Sequence, residues 1–351
     1  MPKQAFISEL KQALAHAPSH ICEEIMADIS EHFTEAIAKG MTEEDVCDSL
    51  GDPHAIAAQV LEEYGEPARA PRPAPQAEER ADHEYAARDE TFAGIRNIAV
   101  KLVEGSLRFV PAAGENVRVT LQGDTRHIRF NATEDGSLTI RDEKPRSRFP
   151  WFRFNFKGGS QTITVHVPTQ FDGEIKAKST AGNVLATGIG GRLHIKAAAG
   201  NVTVEDCRGR HFTLASAAGN IAADLTGPRV DSINISTAAG NATLTANEVG
   251  KLEVSSAAGT AKATITRLMG DANISTAAGS VSFTARHVEG DIDVSTAAGS
   301  AKVYLPYDAN IRIKAKNTGF GSAKQEIPGN PNAPYTLRAS SAMGSVKILP
   351  L

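Results

Sequence analysis

The sequence predicts a multidomain α + β chain: a small N-terminal helical bundle, a disordered linker, then an all-β solenoid, a single-stranded β-helix-like stack of about 20-residue coils. Three observations predict it. Apolar residues recur at helical spacing up to about residue 66, and with a period of two from Phe92 onward. Between them runs a stretch of proline, alanine and charge. Ala-Ala-Gly then recurs with near-constant spacing through the second half of the chain.

The helical bundle is assigned to residues 1–66. Phe6, Leu10 and Leu14 fall on one helix face, and Ile21, Ile25, Ile29, Phe33 and Ile37 make a longer stripe. Gly40 suits the left-handed residue that ends a helix. Thr42 is a cap for the next helix, with Glu43, Glu44 and Asp45 at the positive end of its dipole. Leu50-Gly51 closes that helix, and Asp52-Pro53 opens a fourth, with Asp as N-cap and Pro where its missing N–H is no loss. Residues 67–91, rich in Pro and Ala, read as a linker that buries almost nothing.

Residues 92–180 form a strand-rich approach. Ile98, Val100 and Leu102, then Val117, Val119 and Leu121, then Ile163, Val165 and Val167 alternate with polar residues. The solenoid is assigned to 181–324. Its corner glycines are Gly182, Gly200, Gly219, Gly240, Gly259, Gly279 and Gly299, at spacings of 18, 19, 21, 19, 20 and 20 residues. Each coil reads as strand, turn, strand, turn, with Val202, Val204, Ile233, Ile235, Leu252, Val254, Val281, Phe283, Ile292 and Val294 facing inward. Coils stack about 4.8 Å apart, so seven of them span roughly 35 Å. Alanine is small enough for a stacked corner and glycine supplies positive φ. Asn183, Asn201, Asn220 and Asn241 follow the glycine, where stacked amides can bond along the column. Residues 325–351, with Pro328, Pro331 and Pro334 and two short strands, are assigned as cap strands that blunt the open edge.

The first region resembles the bacterial HAAS helical signalling domain, through Glu24-Ile25, Asp28, Glu31-His32-Phe33, Gly40-Met41-Thr42-Glu43-Glu44, Leu50-Gly51-Asp52-Pro53 and Ile56-Ala57. The β region resembles the toastrack family of adhesin-like β-strand repeats, through its Ser-Thr-Ala-Ala-Gly turns. The HAAS resemblance implies a signalling role with a PadR-like transcriptional regulator as protein partner, and many relatives carry membrane helices between the two parts. Here a hydrophilic linker stands in that place.

Charge and cysteine content narrow the classes further. With 37 basic and 41 acidic residues, a net of −4, there is no overall basic footprint for nucleic acid, and no direct DNA contact is expected. Three cysteines, Cys22, Cys47 and Cys207, read as reduced thiols, the first two buried among helices. No signal-peptide core and no run of eighteen apolar residues is visible, so the chain is expected to be soluble and cytoplasmic.

The candidate sites are few. Glu24, Asp28 and Glu31 belong to an acidic helical face larger than capping needs, which makes it a candidate partner surface. The segment Arg148, Phe149, Trp151, Phe152, Arg153, Phe154 concentrates five of the chain's 19 aromatics between Phe149 and Phe156. It reads either as an interaction hairpin with aromatic anchors or as an aromatic strand packed over one end of the solenoid. His32 is read as a hydrogen-bonded helix residue. Asp271, Glu289, Asp291 and Asp293 gather in the later coils, but the nine-residue calcium-roll pattern is missing, and Asp291 and Asp293 fit an outward strand face. His194, His211 and His287 are isolated, and no column holds repeated Asp, Lys or Arg. No catalytic, metal or cofactor motif is found, so the expectation is a non-enzymatic regulatory adaptor whose β-solenoid senses or scaffolds; a cell-surface adhesin or envelope-binding module is the alternative.

Overall fold

The structure, a computed structural model, describes residues 3–15, 17, 22–23, 25–26, 29–30, 33, 42–43, 46–47, 52–54, 57, 61, 88–123, 125–143, 161–227 and 229–351. Of the linker expected over 67–91, residues 67–87 lie outside them, and 88–91 are instead in a strand, Arg88–Phe92, paired in a ladder. The chain divides into two compact units, Met1–Ala81 and Asp82–Leu351.

In the first unit, α1 (Lys3–Ala13) buries Phe6 and Leu10. Ile25, Ile29, Phe33, Val46 and Ala57, also helical, are buried as well. Phe6 and Phe33 meet edge-on with centroids 6.1 Å apart, and the Lys3 ammonium lies 5.2 Å over the Phe33 ring. Both expected helix starts carry a first-turn hydrogen bond, a main-chain one at Thr42 and a side-chain cap at Asp52. The Thr42 carbonyl accepts from the Val46 N–H at 3.1 Å, and the Asp52 carboxylate accepts from the His54 N–H at 3.0 Å, with Pro53 between.

The second unit begins with β1 (Arg88–Phe92), β2 (Asn97–Glu104), β3 (Ser106–Ala112), β4 (Val117–Gln122), β5 (Ile128–Ala132), β6 (Ser137–Asp142) and β7 (Thr162–Pro168). It continues with β8 (Glu174–Ala181), β9 (Val184–Thr187), β10 (Arg192–Ala199), β11 (Val202–Glu205), β12 (His211–Ala218), β13 (Ile221–Leu225) and β14 (Val230–Ala239). Next come β15 (Ala242–Ala258), β16 (Ala261–Leu268), β17 (Ala272–Ala278), β18 (Val281–Val288), β19 (Ile292–Ala298) and β20 (Ala301–Leu305). The chain ends with β21 (Arg312–Phe320), β22 (Ala323–Gln325), β23 (Thr336–Met343) and β24 (Val346–Pro350).

These strands build two parallel ladders. The first runs β6, β2, β8, β10, β12, β14, β15, β17, β19, β23, β21. The second runs β7, β3, β9, β11, β13, β15, β16, β18, β20, β24, β22. Long β15 serves both, its first half in the second ladder and its last half in the first. The residues expected inward, from Val202 to Val294, are all buried, so the interior is filled by side chains.

Through the middle of the stack, neighbours in the chain are neighbours in space. At both ends they are not. Strands β2 and β3 lie between the coil β6/β7 and the coil β8/β9. Strands β23 and β24 likewise lie inside β21 and β22. The C-terminal strands, expected at the edge, therefore form an interior coil, and the outer edge belongs to β21 and β22. Lys314 and Lys316 on β21 suit it to an unpaired position. At the other end, antiparallel strands close the ladders: β5 on β6, and β4 with β1 on β7. There Phe92 and Phe130 pack with centroids 5.5 Å apart.

Candidate functional site

The seven corner glycines from Gly182 to Gly299 have φ between 128° and 150°. Their second constraint is space. A Cβ on any of them would fall 1.8–2.3 Å from the carbonyl oxygen of the corner glycine in the adjacent coil. Gly105, Gly344 and Gly321 extend the same column, so corners outside the Ala-Ala-Gly series obey it too.

The positive φ turns the peptide after each glycine out of the ladder, leaving a C=O and an N–H to be satisfied. A Ser or Thr three residues before the next glycine solves the first. Ser216, Thr237, Ser256, Thr276, Thr296 and Ser341 are buried and donate to the carbonyls of Gly200, Gly219, Gly240, Gly259, Gly279 and Gly299 at 2.9–3.3 Å. Ala197 occupies this position in one coil and has no hydroxyl. The Gly182 carbonyl accepts instead from Ser179 of its own coil, at 3.4 Å. The asparagines solve the second problem: Asn183, Asn201, Asn220 and Asn241 each accept at Oδ1 the backbone N–H one coil further on, all at 2.9 Å. The bond runs from main chain to side chain rather than between stacked amides. The alanines are not packed inside the corner: Ala198, Ala199, Ala217, Ala218, Ala238 and Ala239 are exposed. The inward position belongs to the hydroxyl residue, a role the spacing of Ser and Thr before each glycine could have revealed.

Two of the later acidic residues, Asp271 and Asp291, serve the opposite corner in the same way. Asp271 accepts the Asp291 N–H at 3.1 Å, and Asp291 accepts the Thr336 N–H at 2.8 Å while pairing with Arg338 at 3.5 Å. Asp291 is thus a corner acceptor preceding β19, not part of a strand face. Among the described residues, no group of His, Cys, Asp and Glu is placed to hold a metal ion.

One expectation is overturned. A column of repeated basic residues does exist. Arg129 pairs in register with Arg141, Arg141 with Lys101, Lys101 with Lys178, and Lys178 with Lys196. All five are exposed. They are invisible as a repeat because the out-of-order coils at this end bring together residues far apart in sequence. Glu24, Asp28 and Glu31, His32, and the segment Arg148, Phe149, Trp151, Phe152, Arg153 and Phe154 lie outside the described residues. In the chain, that aromatic segment falls between β6 and β7, where other coils have only a short corner.

The repeat, its corners and its two ladders now have a family counterpart. The Toastrack DUF4097 family model matches residues 95–348. This chain belongs to the toastrack family. The HAAS family model matches residues 5–59. Among solved structures, the toastrack chain is similar to a candidate adhesin of Bacteroides fragilis, with 15% identity, a TM-score of 0.33, and 76% of this chain and 96% of that one covered. A candidate adhesin of Parabacteroides distasonis matches at 12% identity and TM-score 0.36, with 76% and 96% covered. A candidate cell-adhesion protein of Clostridium sporogenes matches at 12% and 0.25, with 76% and 100% covered. No curated protein matches the chain. A HAAS unit joined to a toastrack unit fits a regulatory adaptor or a surface module. Among the described residues, no helix is long and apolar enough to cross a membrane.

Titratable groups in the toastrack unit are held by structural causes. Burial pushes the Cys207 thiol up to about 11. Burial also lowers His194, against the opposing pull of Glu174 at 3.3 Å. The Lys176 ammonium, 2.6 Å away, holds Glu174 below its ordinary range.

Proposed function

We propose that this toastrack protein is a non-catalytic regulatory adaptor of the cytoplasm. Its helical unit binds a PadR-like transcriptional regulator, and its solenoid is a rigid sensing or scaffolding surface. The observation that carries the reading is the HAAS match over 5–59, in a unit with an apolar core of its own built on Phe6, Leu10, Ile25, Ile29 and Phe33. The solenoid supports it by having its interior filled with apolar side chains. Glu24, Asp28 and Glu31 supply the acidic face that the partner would read.

The test uses the full chain and a PadR-like regulator from the same organism. Asp28→Lys with Glu31→Lys should weaken the complex at least tenfold at low salt, and the gap should narrow as salt rises. Unchanged affinity, or binding retained by a chain without residues 1–66, would assign the partner to the solenoid instead. Cell fractionation separates this reading from a surface module: recovery outside the cell would favour the latter.

A further inference from the structure

We infer that the row Arg129, Arg141, Lys101, Lys178 and Lys196 is a binding track for a thin linear polyanion, a polysaccharide of uronic-acid type. This names a ligand class for the sensing surface and rests on that part of the functional reading; the regulator's contact with the helical unit does not depend on it.

The row crosses five neighbouring strands in register, one cation per strand. Rungs are about 4.8 Å apart, so the charges follow one another in a line. Like charges directly opposite one another destabilise a sheet, and elsewhere in this unit such rows are shorter, as in Lys302, Lys347 and Lys324 or Glu205 and Asp224. Two residues earlier on the same strands, Lys176 and His194 share Glu174, at 2.6 and 3.3 Å. No described acidic side chain pairs with Arg141, Lys101, Lys178 or Lys196 in this way, and Arg129 donates to the Arg126 carbonyl at 2.8 Å. A chain with net charge −4 has thus segregated five cations into one line.

The flanks determine what fits. Val103, Thr180 and Ala198 follow the lysines on one side, so the track is low there. On the other side, Asn131, Thr139 and Ala99 stand in register. Among the described residues, the flanks carry His127 and His194 but no Phe, Tyr or Trp face on which bases could stack, as single-stranded nucleic acids favour. A row one side chain wide suits a single extended chain with one carboxylate per sugar ring. Glu143, two residues after Arg141, places one acidic side chain on the same flank as Val103, Thr180 and Ala198.

The experiment measures binding of a fluorescein-labelled oligogalacturonate to the full chain by anisotropy at several salt concentrations. The variant Lys101→Gln/Lys178→Gln/Lys196→Gln should bind at least tenfold more weakly and with a shallower salt dependence. The control Lys251→Gln/Lys262→Gln/Arg286→Gln changes net charge equally and should bind like the parent. Equal weakening in both variants, or no binding by the parent at low salt, would overturn the track. Tighter binding of a single-stranded oligonucleotide or of polyphosphate would overturn the ligand class. The track variant should melt no lower than the parent; if it does, Lys178→Gln alone carries the same comparison with a smaller loss.

Discussion

The middle of the solenoid and its N-terminal end use one ladder geometry with opposite consequences. Between Gly182 and Gly299, successive coils in the chain are successive coils in space. Equivalent residues therefore stack, and the sequence repeats what the column needs: a glycine in every coil, a hydroxyl three residues before it in all but one, and an asparagine acceptor after it in four. At the N-terminal end, β2 is held between β6 and β8, and each rung is drawn from a different part of the chain. The stacking that produces a hydrogen-bonded asparagine column in one region produces a line of unpaired cations in the other. Register is a property of the fold, whereas repetition is a property of the chain, and the two coincide only in the middle.

The strongest way to break the comparison is at the corner. Gly240→Val places a branched side chain at φ 141° and 2.3 Å from the Gly219 carbonyl oxygen. Backbone strain alone costs about 1–3 kcal/mol, before the clash is counted. Lys262→Val, on an exposed rung, should change stability by no more than about 0.5 kcal/mol. Equal melting temperatures for these two variants would remove the corner column as a structural element.

Next comes the hydroxyl column. Thr237→Val keeps the shape but takes away the donor to Gly219, and should cost about 1–3 kcal/mol in denaturant unfolding. The converse is Ala197→Ser, which supplies the missing donor for Gly182 and should add about 0.5–1.5 kcal/mol. A loss of stability in that variant would show that the coil tolerates only alanine there. The smallest effect belongs to the other region. Lys178→Gln relieves repulsion from both Lys101 and Lys196 and should raise stability by about 0.2–1 kcal/mol, less at high salt. Destabilisation on this change would mean that the lysine stems contribute more by packing than their charges take away.

Much was legible from residue spacing. Helical period, the Asp52 cap, the alternating strands and the corner glycines each follow from local chemistry, and local chemistry is written locally. The alanines misled because size was taken as evidence of burial; the chain's direction at the corner leaves them outside, and the residue three before the glycine turns in. Asp291 misled for a related reason, since alternation was extended across a corner that resets it.

By itself, the sequence determined the solenoid, its coil length and its two-unit organisation, because each coil carries its own turn signals and its own inward pair. Only the tertiary structure decided the order of the coils at the ends, and with it the basic track and the burial of the last strands. A parallel rung is defined by main-chain hydrogen bonds that any apolar-alternating strand can make. Which strand fills a rung is settled by loop reach and by the need to cover an open edge, and neither is visible in a strand's own residues.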